Sequence, residues 1–365
     1  MASAEVILTP EEIAQTLRHG PWPPPGALDP SNRVSGDARA VALGRSLFGD
    51  PVLSRNGDLA CTSCHDPNRD FTDGLDRAVG QHRLDRNTQA LWNLSGLRWF
   101  GWSGDTDNLW AQSLTPILNP DEHGHSEASL QRALSESSYK SAYEDLFGPV
   151  ADETPDATAV HIAKALAAYL ETLATGRTSF DRFRDALEQN DMAMAEAYPL
   201  AAQRGLRIFL GVGKCAFCHS GPRFSNGEFH DAGVPYFVEP GRVDPGRAAG
   251  LDALAQSPYT LGGAYSDDPS KAGGWAAQSV RFHHSNFGMF RVPTLRRVAH
   301  TAPYMHDGSL PDLGAVVDHY NTIDLERMHA DGEAILRPLG LSPADRDDLL
   351  AFLMTLSDDT VVRPD

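Results

Sequence analysis

Two short motifs of cysteine and histidine carry the clearest chemistry in this chain. Residues 61–65 read Cys-Thr-Ser-Cys-His, and residues 215–219 read Cys-Ala-Phe-Cys-His. In each motif, two thiols can bond to the two vinyl groups of one porphyrin, and the adjacent histidine can become an axial ligand of its iron. One such motif could also be a thiol redox site or half of a zinc site. Because the two motifs use all 4 cysteines of the chain, they favour two c-type haems. The predicted haem-binding residues are Cys61, Cys64, His65, Cys215, Cys218 and His219.

Length and composition favour a two-domain protein outside the nucleic-acid-binding class. The chain has 365 residues, which exceeds the usual size of one domain, and each half holds one motif. We expect an N-terminal extension over residues 1–34, a first haem domain over 35–189 and a second over 190–365. The formal charge of −18 argues against nucleic acid and anionic membranes as partners, and it would permit attraction of a basic protein. No apolar run approaches the roughly 18 residues of a membrane span.

The expected location is the bacterial periplasm, because c-type haem is attached outside the cytoplasmic membrane. The first residues, Met-Ala-Ser-Ala-Glu-Val-Ile-Leu, contain neither a basic region nor an apolar region of a signal peptide. We therefore expect that an export signal was removed from this chain.

Apolar periodicity and capping signals predict a mainly α fold with little β structure. The segment 239–290 is rich in Gly, Pro, Asp and Ser and is predicted to form long irregular loops. Helices are predicted after the cap at Thr9, over residues 38–48, 159–175, 201–210 and 313–320, and from the cap at Ser342 to Leu356.

The sixth ligand of the second haem must come from later in the chain. The candidates are Met289, Met305, His306, His319 and Tyr320. Leu313, Val317 and Tyr320 share one apolar helix face, while His319 lies about 100° away. A haem is an apolar plate, so this face favours Tyr320 over His319. A buried core tyrosine without a ligand role is the alternative.

The far side of the first haem has several candidate groups. His82, His123 and His125 are within reach in sequence. The segment 112–122 is interrupted by prolines and carries an amide and a carboxylate. A carboxylate beside an open ferric iron could move a proton from the near to the far oxygen of a peroxide, which would make Glu122 an acid–base group. A surface-loop glutamate is the alternative.

Further motifs resemble the bacterial di-haem cytochrome c peroxidase and MauG superfamily. The resemblance covers roughly residues 35–358 and rests on the two haem motifs together with residues 100–104 (Phe-Gly-Trp-Ser-Gly), Gln112, Pro116, 119–122 (Asn-Pro-Asp-Glu), 291–296 (Arg-Val-Pro-Thr-Leu-Arg) and 301–308 (Thr-Ala-Pro-Tyr-Met-His-Asp-Gly). It implies two cytochrome c-like domains, a reaction with hydrogen peroxide, and a protein substrate or redox partner.

The resemblance also implies a role for individual residues. His65 would be the proximal ligand of the peroxide-reactive haem, and His219 that of the second haem. The sixth ligand of the second haem would be Tyr320, a position that is methionine in the peroxidases and tyrosine in the MauG branch. Tyrosine would suit an iron that stores an oxidising equivalent. The remaining implied roles are a distal pocket of Glu122, Gln112 and Pro116, a tryptophan between the haems at Trp102, and a calcium site of Asn87 with the backbone carbonyls of Thr301 and Pro303.

Two departures from the family pattern limit what the resemblance implies. The peroxidases carry a removable distal histidine after the first motif; the loop is shorter here and holds Gln81 and His82, so His82 either takes that role or has none. MauG has a surface tryptophan two residues before its second motif, where this chain has Gly213. The MauG substrate and its electron route therefore do not transfer.

Taken together, the residues and the resemblance predict a peroxide-dependent di-haem oxidoreductase. It would form a high-valent state shared by both haems and oxidise a partner protein, at a tryptophan. The alternative is a peroxidase that takes electrons from a small cytochrome or copper protein. A plain electron carrier would require two strong protein ligands on both irons.

Overall fold

The computed structural model describes residues 6–235, 237–327 and 335–357. The predicted mainly α fold is confirmed. The helices are α1 (Pro10–Leu17), α2 (Ala38–Phe48), α3 (Leu109–Leu118), α4 (Glu127–Glu136), α5 (Lys140–Phe147), α6 (Pro155–Leu170), α7 (Ser179–Glu188), α8 (Met192–Ala195), α9 (Leu200–Leu210), α10 (Arg247–Gln256), α11 (Trp275–Ser279), α12 (Leu313–Asn321) and α13 (Pro343–Met354). The strands are β1 (Phe229–His230), β2 (Phe237–Glu239), β3 (Arg242–Val243) and β4 (Phe290–Arg291); β1 pairs with β4 and β2 with β3, both antiparallel.

Capping residues fix where several helices begin. Thr9 and Glu12 form a reciprocal capping box at the start of α1, and Ser342 and Asp345 form another at the start of α13. The predicted bounds of α2 are confirmed. The helix predicted over 159–175 is wrong at both ends, because α6, capped by Thr154, begins four residues earlier at Pro155 and ends at Leu170. The segment 239–290 is less irregular than predicted, since it holds α10, α11 and β3.

A first core forms around α6, which is buried along most of its length. Helices α2, α3 and α4 pack on it. At the contact of α2 with α6, a Cβ on Gly44 would lie 2.1 Å from the carbonyl oxygen of Ala165, so only glycine permits this approach. Cys61 packs against this core.

A second core forms where α9 packs against α13. Here a Cβ on Gly205 would lie 1.9 Å from the carbonyl oxygen of Asp348. Helices α7 and α12 contribute buried side chains, Leu8 and α1 pack on the same core, and Cys215 lies against it. Each haem motif therefore has its own apolar support. The predicted domain division at residue 190 stays a prediction, and α7 packs with the second core.

A fully buried ion pair connects α7 to the segment after β4. Both Nη atoms of Arg296 donate to the Asp181 carboxylate at 2.9 Å, and its Nε donates to the carbonyl of Pro222 at 2.6 Å. The guanidinium lies 3.6 Å from the ring centre of Trp22. Because neither charge reaches solvent, the loss of one partner leaves the other without a counter-charge.

We predict that Asp181→Asn lowers the free energy of unfolding by about 3–5 kcal/mol. Denaturant unfolding of the haem-loaded protein measures this. Asp347→Asn is the matched control, because Asp347 is 77% exposed in its pair with Arg346 and should cost about 0–1 kcal/mol. Equal losses in the two variants would contradict the prediction.

Candidate di-haem site

The first haem motif presents its histidine with one ring nitrogen already bonded. Residues 61–63 form a 3₁₀ turn, and the His65 N–H donates to the carbonyl of Cys61 at 2.9 Å. The His65 Nδ1 lies 3.1 Å from the carbonyl oxygen of Phe71. Because a carbonyl only accepts, Nδ1 carries the proton and Nε2 keeps a lone pair for iron. Phe71 is buried and has a φ of 58°, the left-handed conformation that turns this carbonyl toward the ring.

The second motif repeats this arrangement. The His219 Nδ1 donates to the carbonyl of Phe224 at 2.9 Å, and Phe224 is buried with a φ of 51°. Burial lowers the pKa of His219 to about 4 and shifts the pKa of His65 in the same direction. Both imidazoles are therefore neutral near pH 7, which is the form that binds a metal.

The cavity beside the second motif matches the chemistry of a haem. Cys215, Cys218 and His219 line it, and apolar side chains of the second core form much of its wall. These apolar residues are Phe209, Leu313, Val317, Leu349 and Leu353. Gln89 and Arg291 also line the cavity. The buried Nε2 of Gln89 has no hydrogen-bond partner among the described residues. A c-type haem is an apolar plate with two carboxylates, so it fits both the wall and these donors.

Tyr320 lines this cavity with the second haem motif. Burial raises the pKa of its phenol, and the neighbouring Cys215 and Cys218 add to this shift. The phenol therefore stays protonated unless a metal takes up the oxygen.

The other candidate ligands are placed differently. Met289 is buried, and the His319 Nε2 donates to the carbonyl of Ala232 at 2.8 Å; neither lines the cavity. Met305 and His306 line it, but the His306 ring stacks on Phe290 with 3.6 Å between ring centres. Ligation by Tyr320 stays a prediction, and this geometry favours it.

Glu122 is largely enclosed and holds its proton more tightly than an exposed glutamate. Burial raises its pKa, the charges of Asp105 and Asp121 raise it further, and a 2.8 Å hydrogen bond from Asn119 Nδ2 opposes them. A Cβ on Gly80 would lie 2.7 Å from the Glu122 Cα, so glycine lets the loop 80–82 pack against this turn.

Helix α3 places the other two distal-pocket residues one turn apart. Gln112 accepts a hydrogen bond from Thr106 Oγ1 at 2.9 Å through its Oε1. Pro116 lies inside the helix, and its carbonyl accepts the His123 N–H at 3.1 Å, which folds the turn holding Glu122 back onto α3. Gln112 and Pro116 are four residues apart and therefore share a helix face.

The three histidines predicted as candidates for the first haem have different surroundings. The side chain of His82 is 74% exposed, and its Nδ1 lies 3.0 Å from the Asp121 carboxylate. His125 is buried between Ser129 and the carbonyl of Val52. His123 is buried, and its Nδ1 has no hydrogen-bond partner among the described residues.

Trp102 and Asn87 lie together on the wall of the cavity. The Trp102 Nε1 donates to the carbonyl of Asn87 at 2.8 Å, and the Asn87 N–H donates to the carbonyl of His306 at 2.7 Å. The Asn87 Nδ2 donates to the carbonyl of Leu75 at 2.8 Å, and this bond distinguishes the nitrogen of the side-chain amide from its oxygen, Oδ1. Thr301 and Pro303 line the same cavity, and the calcium site stays a prediction.

Several residues that complete the site could not be predicted from the motifs. Nothing in the motifs identified Phe71 and Phe224 as acceptors for the histidines. Asn119 belongs to a segment that resembled the family, but its bond to Glu122 was not predicted. Arg291 likewise lies in a segment that resembles the family, but no motif pointed to Gln89.

Two thiol pairs, two oriented imidazoles and an apolar cavity with anion-binding donors define a di-haem c-type protein. A sequence profile described as di-haem cytochrome c peroxidase matches residues 38–189. The methylamine utilization protein MauG of Methylorubrum extorquens is 36% identical over 319 residues, covering 87% of this chain and 77% of that protein. The cytochrome-c peroxidase IdrP2 of Denitromonas iodatirespirans is 31% identical over 330 residues, covering 88% and 83%.

The solved structure of the diheme peroxidase BthA from Burkholderia thailandensis has the same fold. Its TM-score is 0.71 at 23% identity, with 92% of this chain and 94% of that chain covered. The chain belongs to the di-haem cytochrome c peroxidase family. It is a hydrogen peroxide-dependent oxidoreductase with two c-type haems, as predicted. Within the described ranges, the structure has no helix that is both long and apolar enough to span a membrane.

We predict that Glu122→Gln retains both haems but reacts with peroxide about 10²–10⁴-fold more slowly, because an amide cannot carry the proton. The carboxylate must be ionised to accept the first proton. Since its pKa is raised, the wild-type rate should fall with decreasing pH at a higher pH than for an ordinary glutamate. Stopped-flow absorbance measures both effects.

Glu171→Gln is the control for this experiment. Burial also raises the pKa of Glu171, to about 7, but its carboxylate bonds to Ser35, remote in sequence from the distal loop. This variant should react at the wild-type rate. A Glu122→Gln rate equal to that of wild type would remove Glu122 from the mechanism.

Proposed function

We propose that this enzyme uses hydrogen peroxide to oxidise a partner protein, at a tryptophan side chain. The observation that carries the proposal is the position of Tyr320 in the cavity of the second haem motif, where the peroxidases of the family carry methionine. The relatives include proteins named for both activities, so the sixth-ligand position is the feature that separates them.

The distal residues would manage the protons of the peroxide. When bound, the haems supply the redox chemistry by taking up the oxidising equivalents of the peroxide. Glu122 accepts a proton from the near oxygen and returns it to the far oxygen, which then leaves as water. The bond from Asn119 orients the carboxylate, and Gln112 on α3 is held by Thr106, which precedes that helix. This arrangement needs no other acid in the pocket.

Tyr320 would set what the second haem can do. A methionine thioether favours reduced iron and raises the reduction potential, whereas an anionic phenolate oxygen favours oxidised iron. The second haem would then hold an oxidising equivalent instead of passing electrons from a donor. Trp102, which lines the same cavity, would connect the two haems electronically.

The alternative is a peroxidase that draws electrons from a small cytochrome or copper protein. The observation in its favour is the exposed surface beside the second motif, where Val212 is 59% exposed and Phe217 is 57% exposed. Such a surface could contact a redox donor. A periplasmic location is proposed for either function, because c-type haem is attached outside the cytoplasmic membrane.

The Tyr320→Met variant tests the proposal. It should still consume peroxide at the first haem, but oxidation of the partner should fall to background and donor-dependent peroxidase turnover should rise. Candidate partners are incubated with enzyme and peroxide, and a mass increase of one oxygen on a tryptophan is sought by peptide mass spectrometry. The oxidation rate of ferrous cytochrome c measures the peroxidase turnover.

His319→Gln is the matched control, because His319 is the adjacent candidate ligand and bonds instead to a backbone carbonyl. It should oxidise the partner like wild type. If Tyr320→Met also keeps the wild-type spectrum and the partner oxidation, Tyr320 is not the ligand and the peroxidase alternative gains support.

We also propose that Asn87, with the carbonyls of Thr301 and Pro303, binds a calcium ion. Hard cations bind oxygen ligands, and an amide oxygen with two carbonyls and water molecules suffices for Ca²⁺. The Asn87 carbonyl also accepts the Trp102 hydrogen bond, so the ion would hold the residue between the haems in place.

Chelation should slow the wild-type peroxide reaction and alter its ferric electron paramagnetic resonance spectrum, with both recovered on adding Ca²⁺ but not Mg²⁺. Asn87→Ala should show the slow rate without chelator and no response to it. The exposed Asn68→Ala is the control and should respond like wild type. A wild-type protein that is free of calcium by elemental analysis and fully active would contradict the proposal.

A further inference from the structure

Arg291 is a buried cation without a carboxylate partner. It is 7% exposed, its Nε donates to the carbonyl of Gly101 at 2.9 Å, and its Nη2 lies 3.3 Å from the Gln89 Oε1. No carboxylate lies within ion-pair distance among the described residues. Burial lowers its pKa to about 10, so the guanidinium is still charged near pH 7.

Other buried arginines of the structure have their charge balanced or their contacts filled. Arg296 pairs with Asp181, and Arg297 pairs with Asp70. Arg247 also lacks a carboxylate, but it donates to two carbonyls between the rings of Trp99 and Phe229, and it does not line the cavity. Arg296 also lines the cavity of the second haem motif, but its charge is balanced by Asp181. Arg291 differs because it lines this cavity and has no carboxylate partner among the described residues.

Gln89 supplies a second, independent observation. Its Oε1 faces Arg291, so its Nε2 is directed elsewhere, and this nitrogen is buried without a hydrogen-bond partner among the described residues. A buried donor without an acceptor is unfavourable. Gln89 lines the same cavity. A cation and an adjacent unpaired amide donor together favour an anion with at least one acceptor oxygen.

The residues around the cavity identify which anion fits. Cys215, Cys218 and His219 line it, and no residue of the first motif does, although the backbone of Gln89 also contacts His65. Each haem carries two propionate groups. We propose that Arg291 and Gln89 bind a propionate carboxylate of the second haem, through charge-assisted hydrogen bonds.

This anchor connects the second haem to the residue between the haems. The Arg291 N–H donates to the carbonyl of Trp102 at 2.8 Å, and its side chain bonds to the preceding Gly101. Strand β4 fixes the Arg291 backbone through its pairing with β1. The same residue therefore positions the edge of the second haem and the Trp102 loop, and its charge offsets that of the propionate.

The test is a potentiometric titration of the haem-loaded protein, with the separate ferric electron paramagnetic resonance signals of the two haems followed at each potential. Arg291→Met removes the cation at similar length. It should shift the ratio of ferric to ferrous second haem about tenfold toward ferric, which is 59 mV for a one-electron couple. Arg291→Lys keeps a cation and should therefore recover most of the wild-type potential of the second haem.

Gln89→Leu removes the amide donor and should lower the same potential by a smaller amount. The double variant should show less than the sum of the single shifts, because both side chains contact one carboxylate. Arg39→Met is the control: this exposed arginine pairs with Asp37 and does not line the cavity, so its loss should leave both potentials nearly unchanged.

The proposal is overturned if Arg291→Met or Gln89→Leu loads both haems and leaves the second-haem potential at its wild-type value. It is also overturned if only the first-haem potential moves. If Arg291→Met does not fold, Gln89→Leu decides alone, since it keeps the buried charge. None of these results depends on which partner the enzyme oxidises.

Discussion

The hydrogen bond from each haem-motif histidine to a phenylalanine carbonyl is the constraint on which both sites depend. It fixes the proton on Nδ1, orients the ring, and leaves Nε2 as the only ring nitrogen that can bind iron. The bond requires a left-handed phenylalanine backbone at Phe71 and Phe224, which is unfavourable for a bulky residue. Burial of both rings in the adjacent core compensates for that backbone cost.

The supports beneath the two motifs use the same packing solution. In the first, α2 crosses α6 at Gly44; in the second, α9 crosses α13 at Gly205. In both cases the helix with the glycine precedes the haem motif, so the close crossing fixes where the motif begins relative to its core. The two halves share little sequence beyond the motifs. What they have in common is therefore the close approach of two helix backbones at a glycine, and not the side chains around it.

The sequence was informative where a feature depends on residues close together in the chain. The caps at Thr9 and Ser342 located two helix starts, and the spacing of Leu313, Val317 and Tyr320 correctly placed them on a shared inward face. It failed where tertiary packing decides. The helix predicted to run to residue 175 ends at Leu170, and the unpaired Gln89 donor depends on burial by elements distant in sequence.

Burial acts on both the Glu122 carboxyl and the Tyr320 phenol, but the two groups have different roles. It raises the pKa of both Glu122 and Tyr320, so each is more easily kept neutral than in water. At Glu122 a hydrogen bond from Asn119 opposes the rise in pKa, so the carboxyl group can both accept and return a proton. Burial keeps the Tyr320 phenol protonated. Only coordination to a metal would release its proton, which couples ionisation of the phenol to haem binding and keeps it out of the proton transfers at the first haem.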